Sequence, residues 1–231
     1  MSIFALVHGG WHGPWCWDRL TGPLRERGHE VVVPDLPSED TELGLEDYAD
    51  TTARALGDAG DVILVPHSLG GLVGPVVARR RPLKALVYLC ALVPEPGLSF
   101  GEQVSASDEP ILTIAGGREM DEQGRSHWPD ADATVRIMYP DLEPEDASWA
   151  FERLRPQAQK SQGERSPEPP ADLRVESIVG MEDRLVNPDW SRRVARERVG
   201  VEPVEIPTGH FPMITHPELL ADRLAELASA R

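Results

Sequence analysis

Val65-Pro66-His67-Ser68-Leu69-Gly70-Gly71 is the stretch on which the reading of this chain turns. An almost unbroken apolar run, Asp61–Val65, leads into it, and Leu69–Arg80 leads out toward a stop at Pro82. That order predicts a buried strand, a sharp corner and a helix. A serine on such a corner is held at a strained backbone angle with its hydroxyl turned outward. A serine hydroxyl is a poor nucleophile until it is exposed and a base can take its proton. The residues two before and two after the serine must be small, because strand and helix approach closely there. Gly70 meets this requirement. Pro66 stands where glycine is usual; it is compact and lacks only an N–H at a strand end.

Working outward, short apolar runs alternate with longer amphipathic ones, the pattern of a parallel sheet with crossover helices. Strands are predicted at Ile3–Val7, Glu30–Val33, Asp61–Val65, Leu83–Leu89, Arg174–Val179 and Val201–Ile206. Helices are predicted at Trp15–Arg27 (closed by Gly28), Leu45–Leu56, Leu69–Arg80, Asp189–Arg198 and Pro217–Ala228. The alternation breaks between Pro94 and Asp172, where only Ala133–Met138 and Pro144–Leu154 read as helical and Ser161–Asp172 reads as an exposed connection. The expected fold is α/β: a six-stranded, mostly parallel sheet with helices on both faces. It forms one structural domain, with core residues 1–93 and 173–231 and a lid insertion over residues 94–172.

Ligands in such sheets bind beyond the carboxyl ends of the strands. His8-Gly9-Gly10-Trp11, His67-Ser68-Leu69, Met181-Glu182-Asp183 and Thr208-Gly209-His210 all fall at that edge. Ser68 is the candidate nucleophile and His210 its base; the order serine, acid, histidine distinguishes this arrangement from other serine triads. Asp183 is the favoured acid and Glu182 its competitor. The developing oxyanion requires two backbone donors. Leu69 would supply one, and Gly10, with Trp11 second, the other. His67 is expected to be a neighbour of the serine rather than its base, and His8 and His12 to hold the shape of the first loop. Trp11, Trp128, Tyr139 and Phe211 are the candidate substrate contacts, with simple packing of the lid as the competing role.

The net charge of −16 over 231 residues repels phosphate backbones and anionic lipid, so nucleic acid and membrane surfaces are not expected partners. No apolar run approaches the roughly 18–20 residues that span a bilayer. The opening residues read as a first strand and not as a signal peptide. Cys16 and Cys90, each in an apolar stretch, read as reduced buried thiols, which fits a cytoplasmic protein. No Cys/His spacing suggests a metal. The expected partner is a small-molecule ester, and a homodimer is left open.

His8–Trp17 (HGGWHGPWCW), His67–Gly71 (HSLGG), Gly180–Pro188 (GMEDRLVNP) and Gly209–Pro212 (GHFP) together resemble the α/β-hydrolase superfamily. Within it, they resemble the branch of plant methylesterases, hydroxynitrile lyases and bacterial carboxylesterases. The resemblance implies the triad Ser68, Asp183, His210, with no metal or cofactor. The lyases of that branch resemble one another in a threonine after the loop histidine and a lysine after the catalytic histidine. This chain has Gly9 and Phe211 there. Phe211 supplies no positive charge for departing cyanide, and Gly9 leaves space beside the nucleophile. The expected activity is therefore hydrolysis of a carboxylic ester, or of a lactone or thioester, through an acyl-serine. The alternatives are a carbon–carbon lyase and a non-catalytic small-ligand receptor.

Overall fold

Apolar residues in the inner strands divide strictly between the two faces of a sheet, and that division organises the molecule. The computed structural model describes residues 1–113 and 116–229; residues 114 and 115 of the expected lid span and the last two of the chain lie outside it. In β1 (Ile3–Val7), Phe4 and Leu6 face one layer while Ala5 and Val7 face the other. The chain then makes a 3-10 turn (Pro14–Trp17), α1 (Asp18–Glu26), β2 (Glu30–Val32), α2 (Leu45–Leu56) and β3 (Val62–Pro66). After a 3-10 turn at Ser68–Leu72 come α3 (Gly74–Arg80) and β4 (Ala85–Leu89). In β3 and β4 the same alternation repeats: Ile63, Val65, Ala85, Val87 and Leu89 join the first layer, and Val62, Leu64, Leu86 and Tyr88 the second.

The chain leaves the sheet after β4. It forms α4 (Phe100–Ala106), a hairpin of β5 (Glu119–Met120) and β6 (Ser126–His127), α5 (Ala131–Met138), α6 (Pro144–Phe151) and the single turn α7 (Lys160–Gly163). It returns as β7 (Val175–Gly180), α8 (Pro188–Val194) with a π-turn to Val199, β8 (Val204–Ile206), the short α9 (Pro212–Thr215) and α10 (Pro217–Ser229). The six long-sheet strands run in the order β2-β1-β3-β4-β7-β8, and each neighbouring pair is parallel. Helices α1 and α10 pack together on one layer, and α2 and α3 on the other. No helix among the described residues is long and apolar enough to cross a membrane.

Strand order reverses between β1 and β3, which makes the gap beyond their carboxyl ends the natural ligand crevice. Gly9-Gly10 leaves β1 and Ser68 leaves β3 at that point.

Two expected helices begin late. The predicted Leu69–Arg80 helix is a 3-10 turn followed by α3, with Pro75 in the first turn of α3, where its missing N–H is not needed; inside one continuous helix it would break the ladder and clash with the carbonyl four residues back. The predicted Trp15–Arg27 helix starts at Asp18, after a 3-10 turn over Pro14–Trp17. Gly28 closes that helix as expected, in a left-handed conformation (φ 80°) with its N–H on the Arg25 carbonyl at 2.9 Å. The predicted Asp189–Arg198 helix ends as a π-turn that stops at Gly200, φ 80°. In the 94–172 span, α4 escaped the periodicity reading, yet Ser99-Phe100-Gly101-Glu102 carries a capping box. Ser99 Oγ accepts from the Glu102 amide (3.2 Å), and Glu102 accepts from the Ser99 amide (2.8 Å).

The glycines give a direct test of this packing. A Cβ on Gly71 would run into the Leu92 carbonyl, whereas one on Gly22, inside α1, would meet nothing within 4 Å. Gly71→Ala is expected to lower stability by more than about 2 kcal/mol, as overpacking against rigid backbone does. Gly22→Ala should raise it by up to about 1 kcal/mol, the difference in helix propensity. Urea unfolding of both variants checks the pair; equal effects would contradict the packing.

Candidate active site

Ser68 follows β3 at φ 52°, a left-handed angle that a non-glycine residue adopts at a cost of about 1–3 kcal/mol. The turn is closed by the Gly70 N–H on the His67 carbonyl (2.8 Å) and by the Leu92 N–H on the Ser68 carbonyl (2.9 Å). Ser68 itself is half-buried. The turn packs directly on the loop after β1. A Cβ at Gly9 would lie 2.7 Å from Ser68 Cβ and 3.1 Å from His67 Nδ1, and one at Gly70 would lie 2.8 Å from the His8 carbonyl. Gly9 is therefore needed for contact between the two loops, and the space expected beside the nucleophile at that position is taken up by the serine's own Cβ.

His210 leaves the loop after β8 and is buried, 2% exposed. Its Nδ1 lies 2.6 Å from Asp183 Oδ2. The other Asp183 oxygen accepts the N–H groups of Leu185 (2.8 Å) and Val186 (3.0 Å). Both carboxylate oxygens are thus held inside the protein, and the pairing leaves the imidazole protonated at Nδ1. His210 Nε2 is buried and has no protein hydrogen-bond partner, the state a base requires. Glu182, the competing acid, is exposed.

His67 is a neighbour, as its position on the turn predicts. Its ring lies 4.7 Å from that of His210, and its Nε2–H donates to the His210 carbonyl at 2.8 Å. This brings His67, His210 and Asp183 into one buried group, with half-buried Ser68 next to His67 on the turn.

The β1 loop is held by its two histidines. His8 Nε2 accepts the Leu36 N–H (3.1 Å), so His8 Nδ1 carries the proton and donates to the Gly9 carbonyl (2.9 Å). His12 Nδ1 donates to the Gly10 carbonyl (2.8 Å), and His12 Nε2 lies 2.6 Å from the Tyr139 hydroxyl. Burial, above all, pushes the His12 imidazole down to about 3, and burial followed by His210 holds His67 well below its ordinary range. Both are neutral at physiological pH. Trp11 takes a positive φ of 61°.

The four residues expected to contact substrate occupy two settings. Trp11 is half-buried; its indole donates to Ser126 Oγ (3.0 Å) and meets Trp128 edge-on at 5.6 Å. Trp128 is buried and borders an outer groove of about 410 Å³ with Phe151, Leu154 and Arg155. Tyr139 and Phe211 are 1% and 2% exposed and pack behind His210, with Phe211 stacked on His12 at 4.5 Å and edge-on to His210 at 4.8 Å. Tyr139, His12 and Phe211 form an aromatic wall, a role visible only once the chain is folded, because residues 12, 139 and 211 are far apart in sequence.

The sequence matches the alpha/beta hydrolase family over residues 4–223. It is 30% identical to a carbendazim hydrolyzing esterase of Nocardioides sp. (strain SG-4G), over 98% of this chain and 100% of that one. It is 28% identical to methylesterase 9 of Arabidopsis thaliana, over 99% and 98%. Among solved structures, a pyrethroid hydrolase from Sphingobium faniae JZ-2 superposes with a TM-score of 0.84 at 24% identity, covering 99% of this chain and 98% of that one.

Buried neutral histidines have a measurable consequence. In the unfolded chain each takes up a proton below about pH 6.5. In the folded chain His12 does not do so until about 3, and His67 is depressed in the same direction. Their contribution is therefore intact above pH 6.5 and is lost as the pH falls. Between pH 7.5 and 5.5 the two together should cost about 2–3 kcal/mol of stability. Denaturant titrations across that range check it; a flat profile would show that these imidazoles are free to protonate in the fold.

Proposed function

The chain belongs to the alpha/beta hydrolase family, and from that premise we propose that it is a serine hydrolase that cleaves a carboxylic ester of a small molecule through an acyl-Ser68 intermediate. The observation that carries this reading is the state of His210. One ring nitrogen is committed to Asp183, whose other oxygen is held by two amides, and the second is buried without a protein partner beside the Ser68 turn.

His210 Nε2 takes the proton as Ser68 Oγ bonds to the ester carbonyl carbon. The carbonyl oxygen becomes an oxyanion held by the N–H groups of Leu69 and of Gly10. Collapse breaks the bond to the alcohol, which leaves with the proton from His210. Water then repeats the sequence on the acyl-serine and releases the acid, with Ser68 restored. Asp183 holds the imidazole in the right tautomer and balances the imidazolium formed at each step. Every group used belongs to this chain. The span 94–172 serves as a lid, and Trp11, the half-exposed member of the aromatic set, is its contact to substrate. Two buried unpaired cysteines, Cys16 and Cys90, support a reducing, cytoplasmic setting.

Cyanohydrin cleavage is disfavoured by position. Phe211 is buried against His12 and His210 and offers no cation. At Gly9 even a β-carbon would collide with Ser68 Cβ.

Wild-type protein should be labelled by a fluorophosphonate at Ser68 and should hydrolyse short p-nitrophenyl esters. Asp183→Asn is expected to reduce kcat on the order of 10⁴-fold, because the imidazole loses its tautomer. Ser68→Ala should remove labelling and all but residual turnover. Full activity in Ser68→Ala would sink the proposal, and cyanide release from mandelonitrile would move the assignment to a lyase.

A further inference from the structure

The two backbone donors that compete for the oxyanion, Gly10 and Trp11, belong to consecutive peptide planes, and each plane has its carbonyl pinned by a histidine. In a trans peptide the carbonyl and the following N–H point in opposite directions, and the described chain contains no cis bond. His8 on the Gly9 carbonyl therefore aims the Gly10 N–H, and His12 on the Gly10 carbonyl aims the Trp11 N–H. His8 is anchored by the core, through the Leu36 N–H. The anchor of His12 lies elsewhere: Tyr139, just beyond α5, donates its hydroxyl to His12 Nε2 at 2.6 Å.

Two residues further along, Asp141 reaches the other side of the site. Its Oδ2 accepts the Gly209 N–H at 3.2 Å, immediately before His210. Gly209 is confined there, because a Cβ would lie 2.9 Å from that carboxylate oxygen. The neighbouring Arg155 ties the first loop to the same span: its N–H meets the Trp11 carbonyl (2.8 Å) and its guanidinium the His12 carbonyl (2.9 Å). A three-residue segment with a rigid proline at its centre, Tyr139-Pro140-Asp141, thus touches both the oxyanion loop and the histidine loop.

We propose that Tyr139 and Asp141 are positioning residues for the hydrolytic site. Tyr139, through His12 on the Gly10 carbonyl, restrains Gly10 itself, the residue whose N–H holds the oxyanion, from the side opposite His8, and Asp141, through the Gly209 amide, sets the backbone that carries His210. This rests on the ester-hydrolase reading above. It adds that the excursion between β4 and β7 completes the reactive geometry, so catalytic competence depends on that segment being seated. Tyr139 then acts without touching substrate.

The test is steady-state kinetics of Tyr139→Phe, Asp141→Ala and Asp141→Asn on p-nitrophenyl acetate, with inhibition by a trifluoromethyl ketone as the tetrahedral mimic. Removing an oxyanion donor outright costs about 10²–10³ in turnover, so misaiming one through its anchor should cost less. Tyr139→Phe is expected to lower kcat about tenfold with KM within about twofold, and to weaken the ketone by the same factor, the pattern of an interaction made only in the transition state. Its melting temperature should stay within a few degrees of wild type. Asp141→Ala should lose about threefold in kcat, and Asp141→Asn, which keeps an acceptor oxygen, should recover it. Wild-type kcat and ketone affinity in Tyr139→Phe, or a change in KM alone, overturns the proposal. If that variant does not fold, unchanged kcat in Asp141→Ala, at an exposed position, overturns it instead. Fluorophosphonate labelling separates the two readings. An unlabelled wild type defeats the hydrolase assignment, whereas a labelled wild type with unaffected variants defeats only the positioning role.

Discussion

Backbone contact between two loops, Gly9-Gly10 after β1 and the Ser68 turn after β3, is the constraint on which the rest of the site depends. These loops leave the sheet on either side of the point where strand order reverses. They pack so closely that a single β-carbon at Gly9 or Gly70 would lie within 3 Å of the other loop. Such proximity lets amides from different parts of the chain converge on one carbonyl oxygen. It also requires that the serine's strained angle be over-determined by its surroundings. The Leu92 N–H on the Ser68 carbonyl and the Gly70 N–H on the His67 carbonyl supply that restraint from the segment after β4 and from the turn itself.

The site is also neutral where it must be. A charged imidazole at position 12 or 67 would sit close to His210 and, in the proposed mechanism, oppose formation of an imidazolium there. Burial keeps both uncharged, and each uses its available N–H on a backbone carbonyl. The carboxylate bonded to His210, Asp183, is placed by two amides of its own loop. The net charge of −16 is borne elsewhere, on an exposed surface laced with arginine–carboxylate pairs. Exposed pairs of this kind add little to stability.

How much of this could be read in advance depended on how local each feature is. Strand period and the closing glycine at Gly28 are local, and both are legible in the sequence. Pro75 and the Ser99–Glu102 capping box are local signals as well, but apolar periodicity registers neither, since one is a missing N–H and the other a pair of side-chain-to-amide bonds. The link from Tyr139 to His12 could not be read, because it joins positions 127 residues apart and nothing in either local pattern points to the other. Aromatic residues in such a span look like pocket lining from sequence alone; only the fold shows that Tyr139 directs its hydroxyl to a histidine.

Pro66 shows why an imperfect motif is compatible with the turn it announces. In a parallel ladder successive residues bond to opposite neighbours. His67 gives its N–H to Val7 in β1 at 2.9 Å, so the missing N–H of Pro66 faces β4. The β3–β4 pairing behaves accordingly. It runs through Ile63–Ala85 and Leu64–Leu86, lapses, and resumes in the same register at His67–Leu89. Pairing with β1 is unbroken through Val7–Pro66. The cost is one ladder bond at the last residue of the strand, on the side away from the oxyanion loop. Bulk is accommodated as well. Bulk at position 66 meets little: even a Cβ at Gly74 would stand 3.4 Å from the Pro66 ring, whereas one at Gly70 would stand 2.8 Å from the His8 carbonyl. The smallness the turn requires falls after the serine, at Gly70, so a proline before it leaves Ser68 at its angle.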